Sequence, residues 1–150
     1  MEQQEKQNEY MRGVPPHDAT AEQAVLGSMF LDREAASLAM EVLTGEDFYR
    51  PDHRMVFEAA EELYRTGAPI DIVTVKNKLE EKGQFEQIGG LPFLASISTA
   101  VGSSVNVRHY AAIVEEKSVL RRLIRTAGNI SQMSYDGKEA VNTIMDTAEK

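Results

Sequence analysis

The sequence predicts an all-α protein, a compact multi-helix head over residues 14–104 followed by a protruding helical hairpin over residues 105–150. Three observations carry this. Apolar residues recur at three- and four-residue spacing in segments separated by glycine and proline. The single β-branched run, Ile70 to Val75, has no second run to pair with, so helix is expected there too. And the thirty residues from Val105 to Ser134 contain no proline and one glycine, Gly128, in a helix-favouring composition.

Taken in order, residues 1–13 are Gln/Glu-rich without periodicity and are expected to be a disordered tail. Val14-Pro15-Pro16 is an extended lead-in. Thr20 with Gln23 fits a capping box for a first helix, with Val25, Leu26, Met29 and Phe30 facing inward. Gly27 inside it costs about 1 kcal/mol relative to Ala, which predicts a close neighbouring helix. Asp32 caps a second helix with Ala35, Ala36, Ala39, Val42 and Leu43 on its inner face, ended by Thr44-Gly45. Glu46-Asp47-Phe48-Tyr49 is a tight aromatic turn. Pro51 suits the first position of a third helix, whose stripe is Met55, Val56, Ala59, Ala60, Leu63 and Tyr64, with Gly67 and Pro69 as its stop. Asp71 caps a fourth helix carrying Val75 and Leu79 and closing at Gly83. A fifth follows Gly89-Gly90, with Pro92 near its start and Phe93, Leu94, Ile97 and Val101 as its apolar positions.

The long stretch after Gly102-Ser103-Ser104 is read as the element the chain is arranged around. Its apolar pattern changes side: Val107, Tyr110, Ala111 and Val114 share one face, whereas Ile113, Leu120, Leu123, Ile124, Ala127 and Ile130 lie nearly opposite. After a turn at Ser134 to Gly137, the stripe Ala140, Val141, Ile144, Met145 and Ala148 predicts a return helix against part of the rod. The late face then needs a second copy or a partner, and a piece of a longer protein is expected.

There is no cysteine, which excludes disulfides and thiolate metal sites. No apolar run has the length of a membrane span, and the polar, acidic N-terminus is unlike a secretory signal, so the cytoplasm is expected. Net charge is −8, and residues 1–100 hold 9 Lys/Arg against 18 Asp/Glu, an acidic head that disfavours nucleic acid. Arg108, Lys117, Arg121, Arg122 and Arg125 form a basic cluster, read as the solvated back of the helix, with single-stranded DNA binding through Arg121, Arg122 and Arg125 as a rival.

Chemistry is sparse. His17, His53 and His109 never share an element at ligand spacing and read as surface or structural residues. The carboxylate pairs are sequence neighbours, about 100° apart on a helix, and do not converge. Gly137-Lys138-Glu139 lacks the upstream glycine of a phosphate loop. No catalytic, cofactor or metal residue is assigned.

Five ordered signatures resemble the N-terminal domain of DnaB-type replicative DNA helicases of bacteria or phage. They are Pro15-Pro16 with Ala21-Glu22-Gln23-Ala24-Val25-Leu26-Gly27; Asp47-Phe48-Tyr49 with His53; Pro69-Ile70-Asp71-Ile72-Val73-Thr74; Gly89-Gly90 before Phe93-Leu94; and Asn106 leading to Tyr110-Ala111, Ile113-Val114-Glu115-Glu116-Lys117 and Leu120-Arg121-Arg122-Leu123-Ile124. The sequence departs from the family at Val101-Gly102-Ser103-Ser104, where a Val-Pro-Thr-like stretch is usual. The resemblance implies a head and hairpin that pair into the collar of a ring-shaped hexamer, docking the helicase-binding domain of primase and possible contact with a helicase loader. It also implies a separate motor that holds ATP and magnesium and makes the main DNA contacts, so this chain itself is expected to be no enzyme. The partner-binding positions it implies are Phe93, Ile124 and Ile130, with head core for Phe93 and hairpin seam for Ile124 as the alternative; Leu120, Leu123 and Ala127 join them as the rest of the late stripe. A helical adaptor or loader, or a primase-type helicase-binding domain of similar fold, is the rival from another class.

Overall fold

The computed structural model describes residues 13–149, so the expected tail falls, apart from Gly13, outside the described residues. The helices are α1 (Ala19–Leu31), α2 (Arg33–Val42), α3 (Pro51–Arg65), α4 (Ile72–Glu81), α5 (Gly90–Ser98), α6 (Val107–Asp136) and α7 (Val141–Glu149), with a 3-10 turn at Gly45–Asp47. No strand occurs among the described residues, and no helix among them is long and apolar enough to cross a membrane.

The chain starts α1 at Asp18, whose carboxylate accepts from the Ala21 N–H at 2.9 Å. This corrects the expected Thr20–Gln23 box. Asp18 has the extended backbone a cap requires, which leaves Thr20 inside the first turn. Asp32 and Asp71 cap as expected, Asp32 accepting from Glu34 N–H at 3.1 Å. Asp71 and Thr74 exchange bonds of 2.9 Å each, a reciprocal pair that commits the β-branched run to helix. At the end of α3, Gly67 takes φ +76°. The Arg33 guanidinium crosses from α2 to donate to the carbonyls of Ala68 at 2.8 Å and Tyr64 at 3.2 Å, its Cζ 4.6 Å from the centre of the Tyr64 ring.

Two compact units divide the chain, His17–Glu116 on one side and residues 13–16 with 117–149 on the other. The head is built around α1 and not around the long helix. Eight residues of α1, from Ala21 to Met29, are buried with little regard to face, as expected of a helix surrounded by others. It packs on α2, α3 and α5. Three alanines of α2, Ala35, Ala36 and Ala39, are at most 2% exposed and let backbones approach. Phe48, in the aromatic turn, is fully buried with its ring 4.8 Å from that of Phe57.

The first turns of α6 belong to this core, because Val107, Ala111 and Val114 are buried in it. The head therefore extends past the expected boundary at residue 104. Helix α6 itself runs two residues later than predicted at each end. The helix continues through Ser134, whose hydroxyl donates to the Ile130 carbonyl at 2.8 Å, and Gly137 at φ +64° stops it by donating to Met133 O at 3.1 Å.

In the second unit Arg121 is 8% exposed and donates Nη1–H to the Pro16 carbonyl at 2.9 Å. It is a buried strut holding the extended lead-in, which corrects its assignment to a solvated face; Arg122 and Arg125 are exposed. Of the stripe expected on α7, Ile144 is half-buried, while Ala140, Val141, Met145 and Ala148 are exposed.

Candidate functional site

Residues Leu120, Leu123, Ile124, Ala127 and Ile130 occupy one stripe of α6, since steps of three and four residues return to the same side of a helix. The protein leaves this stripe largely open. Leu120, Leu123 and Ile124 are 38, 59 and 51% exposed, Ala127 is exposed, and Ile130 is half-buried. A single exposed leucine carries no meaning, but a run of them along one helix is the pattern of a docking face.

Phe93 lies in the other unit, in the first turn of α5, after the left-handed glycines Gly89 (φ +103°) and Gly90 (φ +69°). It is half-buried against the head core, and its ring stacks on His53 with centroids 6.0 Å apart and planes at 24°. The head-core reading therefore accounts for one side of Phe93, and the candidate stripe on α6 is formed without it.

Behind Phe93 is a constellation that periodicity does not reveal. Glu22 on α1 and His53 on α3 are each 1% exposed, with His53 Nδ1 2.8 Å from Glu22 Oε1. Glu22 also accepts the Tyr49 N–H at 2.8 Å and the Arg50 N–H at 3.4 Å. One carboxylate thus ties together α1, the aromatic turn and α3. His53 Nε2 is buried without a hydrogen-bond partner among the described residues. His53 is thus buried and bonded, and Glu22 is a member of this constellation that the sequence reading does not single out. Periodicity gives no signal for it: the burial of Glu22 follows only from the elements that close around α1, and a buried carboxylate needs donors.

On the surface beside this pair, Arg50 and Asp52 form a two-pronged ion pair at 3.0 and 2.6 Å, and Asp52 Oδ1 also accepts the His53 N–H at 2.7 Å. Burial pushes the Asp52 carboxyl upward, but the Arg50 hydrogen bonds and charge outweigh it and hold the group below the usual carboxylate range. Asp52 in turn raises the Arg50 guanidinium. His17 and Tyr49 stack at 4.2 Å next to them. Among the described residues no group of three or more His, Asp or Glu side chains is placed to hold a metal ion.

Residues 14–116 match the family model described as the DnaB-like helicase N-terminal domain. Over 137 residues, 91% of this chain, the sequence is 46% identical to the replicative DNA helicase DnaB of Geobacillus stearothermophilus. It is 44% identical to the replicative DNA helicase DnaC of Bacillus subtilis over the same length. The chain spans 30% of the length of each of these relatives. The crystal structure of the N-terminal domain of the Mycobacterium tuberculosis DnaB helicase superposes with a TM-score of 0.85 at 40% identity, covering 90% of this chain and 95% of that one. The N-terminal domain of the Helicobacter pylori DnaB helicase, a structure described together with its interactions with primase, gives 0.67 at 26% identity, covering 77% and 90%. The chain belongs to the family of DnaB-like replicative helicase N-terminal domains.

Proposed function

We propose that this chain is the pairing and primase-docking module of a hexameric, ATP-driven replicative DNA helicase, working in the cytoplasm by binding and not by catalysis. The observation that carries the reading is the open apolar stripe of Leu120, Leu123 and Ile124 on α6. Burying it against a second copy removes apolar surface from water at about 25 cal/mol per Å². The primase interactions described for the Helicobacter pylori relative support a primase helicase-binding domain as the second partner. Chemistry on ATP and magnesium, and the main grip on DNA, belong in this reading to a separate motor; a helicase loader is a further partner.

The test is sedimentation of the chain over a wide concentration range, alone and with a cognate primase helicase-binding domain. Self-association that rises with concentration is expected. Changing Leu123 and Ile124 together to Asp, both more than half exposed, should weaken pairing by at least tenfold with the melting temperature preserved. A monomer at every concentration, indifferent to that double change, would remove pairing from the proposal.

A further inference from the structure

We infer that Glu22 and His53 are a buried positioning pair that fixes the Phe93 ring as a rigid apolar anchor on the head; that Phe93 meets a protein partner rests on the docking reading above. A carboxylate and an imidazole, each 1% exposed, are a poor way to fill a core. Replacing such a pair by apolar side chains of similar volume is often neutral or stabilising, so stability alone does not explain it. What the pair supplies is direction.

Glu22 is immobilised first, by the Tyr49 N–H at 2.8 Å, the Arg50 N–H at 3.4 Å and the fully buried walls of α1. Its Oε1 then takes the His53 Nδ1–H at 2.8 Å, which sets the plane of the imidazole. Among the described residues Nδ1 is the ring nitrogen that has a hydrogen-bond partner, so the bond to Glu22 is the one that orients the ring. The ring therefore presents its face to Phe93, 24° from parallel at a 6.0 Å centroid distance, inside the range of aromatic contacts. The outcome is a large aromatic side chain ordered on one side and open on the other. An anchor that is already ordered avoids the entropy loss of being fixed on binding, roughly three- to tenfold in affinity.

The experiment uses the whole chain carrying ring-labelled phenylalanine. Five phenylalanines give a tractable spectrum in which Phe93→Leu assigns the signal. In the double variant Glu22→Met with His53→Leu, the Phe93 ring signals should move toward those of a freely rotating side chain while the Phe30 and Phe85 signals stay in place. Affinity for the primase helicase-binding domain should fall three- to tenfold. If the double variant does not fold, His53→Asn, which keeps a donor for Glu22 and removes the ring that faces Phe93, decides by the same readout. A folded variant whose Phe93 signals are unmoved overturns the inference. Should Phe93→Ala leave primase affinity unchanged, the docking role of Phe93 falls, and the ring signals still decide whether the pair positions it.

Discussion

Asp52 sits where three donors converge, two from Arg50 and one from the His53 backbone. A carboxyl whose folded pKa lies below its unfolded value, near 4, contributes stability that is present above pH 4 and is lost as pH falls through the folded pKa. The chain should therefore lose stability on acidification below about pH 4 more steeply than an Asp52→Asn variant, which thermal melts from pH 5 to pH 2.5 would reveal. Parallel curves for the two proteins would show that the Arg50 pair contributes nothing. At this same scale lies what spacing conceals: Glu22 looks like any helix-surface glutamate until the contents of the neighbouring helices are known.

At the scale of elements, two helix glycines give opposite expectations. Gly27 of α1 faces the end of α5, where a Cβ would lie 2.9 Å from the Ile97 carbonyl oxygen, 3.2 Å from Ala100 Cβ and 3.3 Å from Val101 Cγ2. The backbone oxygen cannot swing aside as a side chain can. Gly27→Ala should destabilise by about 1–3 kcal/mol in spite of the helix-propensity gain. Gly128 on α6 has nothing within 4 Å of its would-be Cβ, and Gly128→Ala should stabilise by about 0.5–1 kcal/mol. Denaturant midpoints of both variants check the pair, and a stabilised Gly27→Ala would contradict the close approach. Gly27 was legible in advance because a helix-interior glycine needs a reason. The offset of α6 was less so, since Ser134 is compatible with a turn and with continued helix, and the chain turns only at Gly137.

For the whole molecule, the position of the core boundary matters most. Val107, Ala111 and Val114 are 2, 0 and 1% exposed and are contributed to the head by the first turns of α6. A chain ending at Glu116 should keep a cooperative melt, whereas one ending at Ser104 loses these three side chains. At roughly 1.5–3 kcal/mol for each buried valine, that loss is a large part of a typical domain stability. Equal melting temperatures for the two truncated chains would show that the head closes without α6. Charge at this scale was read correctly in kind, an acidic protein at −8, but the basic cluster was not: Arg121 leaves it to hold Pro16 O.

By itself the sequence determined the all-α class, the order of the helices, the caps at Asp32 and Asp71, and the stripe of α6 left without cover. Each of these follows from periodicity or from a side chain acting on backbone a few residues away, and such interactions are local. Only the tertiary structure decided that α1 is the hub of the head, that Glu22 meets His53 across 31 residues, and that Arg121 reaches Pro16 across 105. Those outcomes depend on which surfaces exclude water from which polar groups. A polar side chain carries no mark of its own burial; that is settled by the elements that close around it.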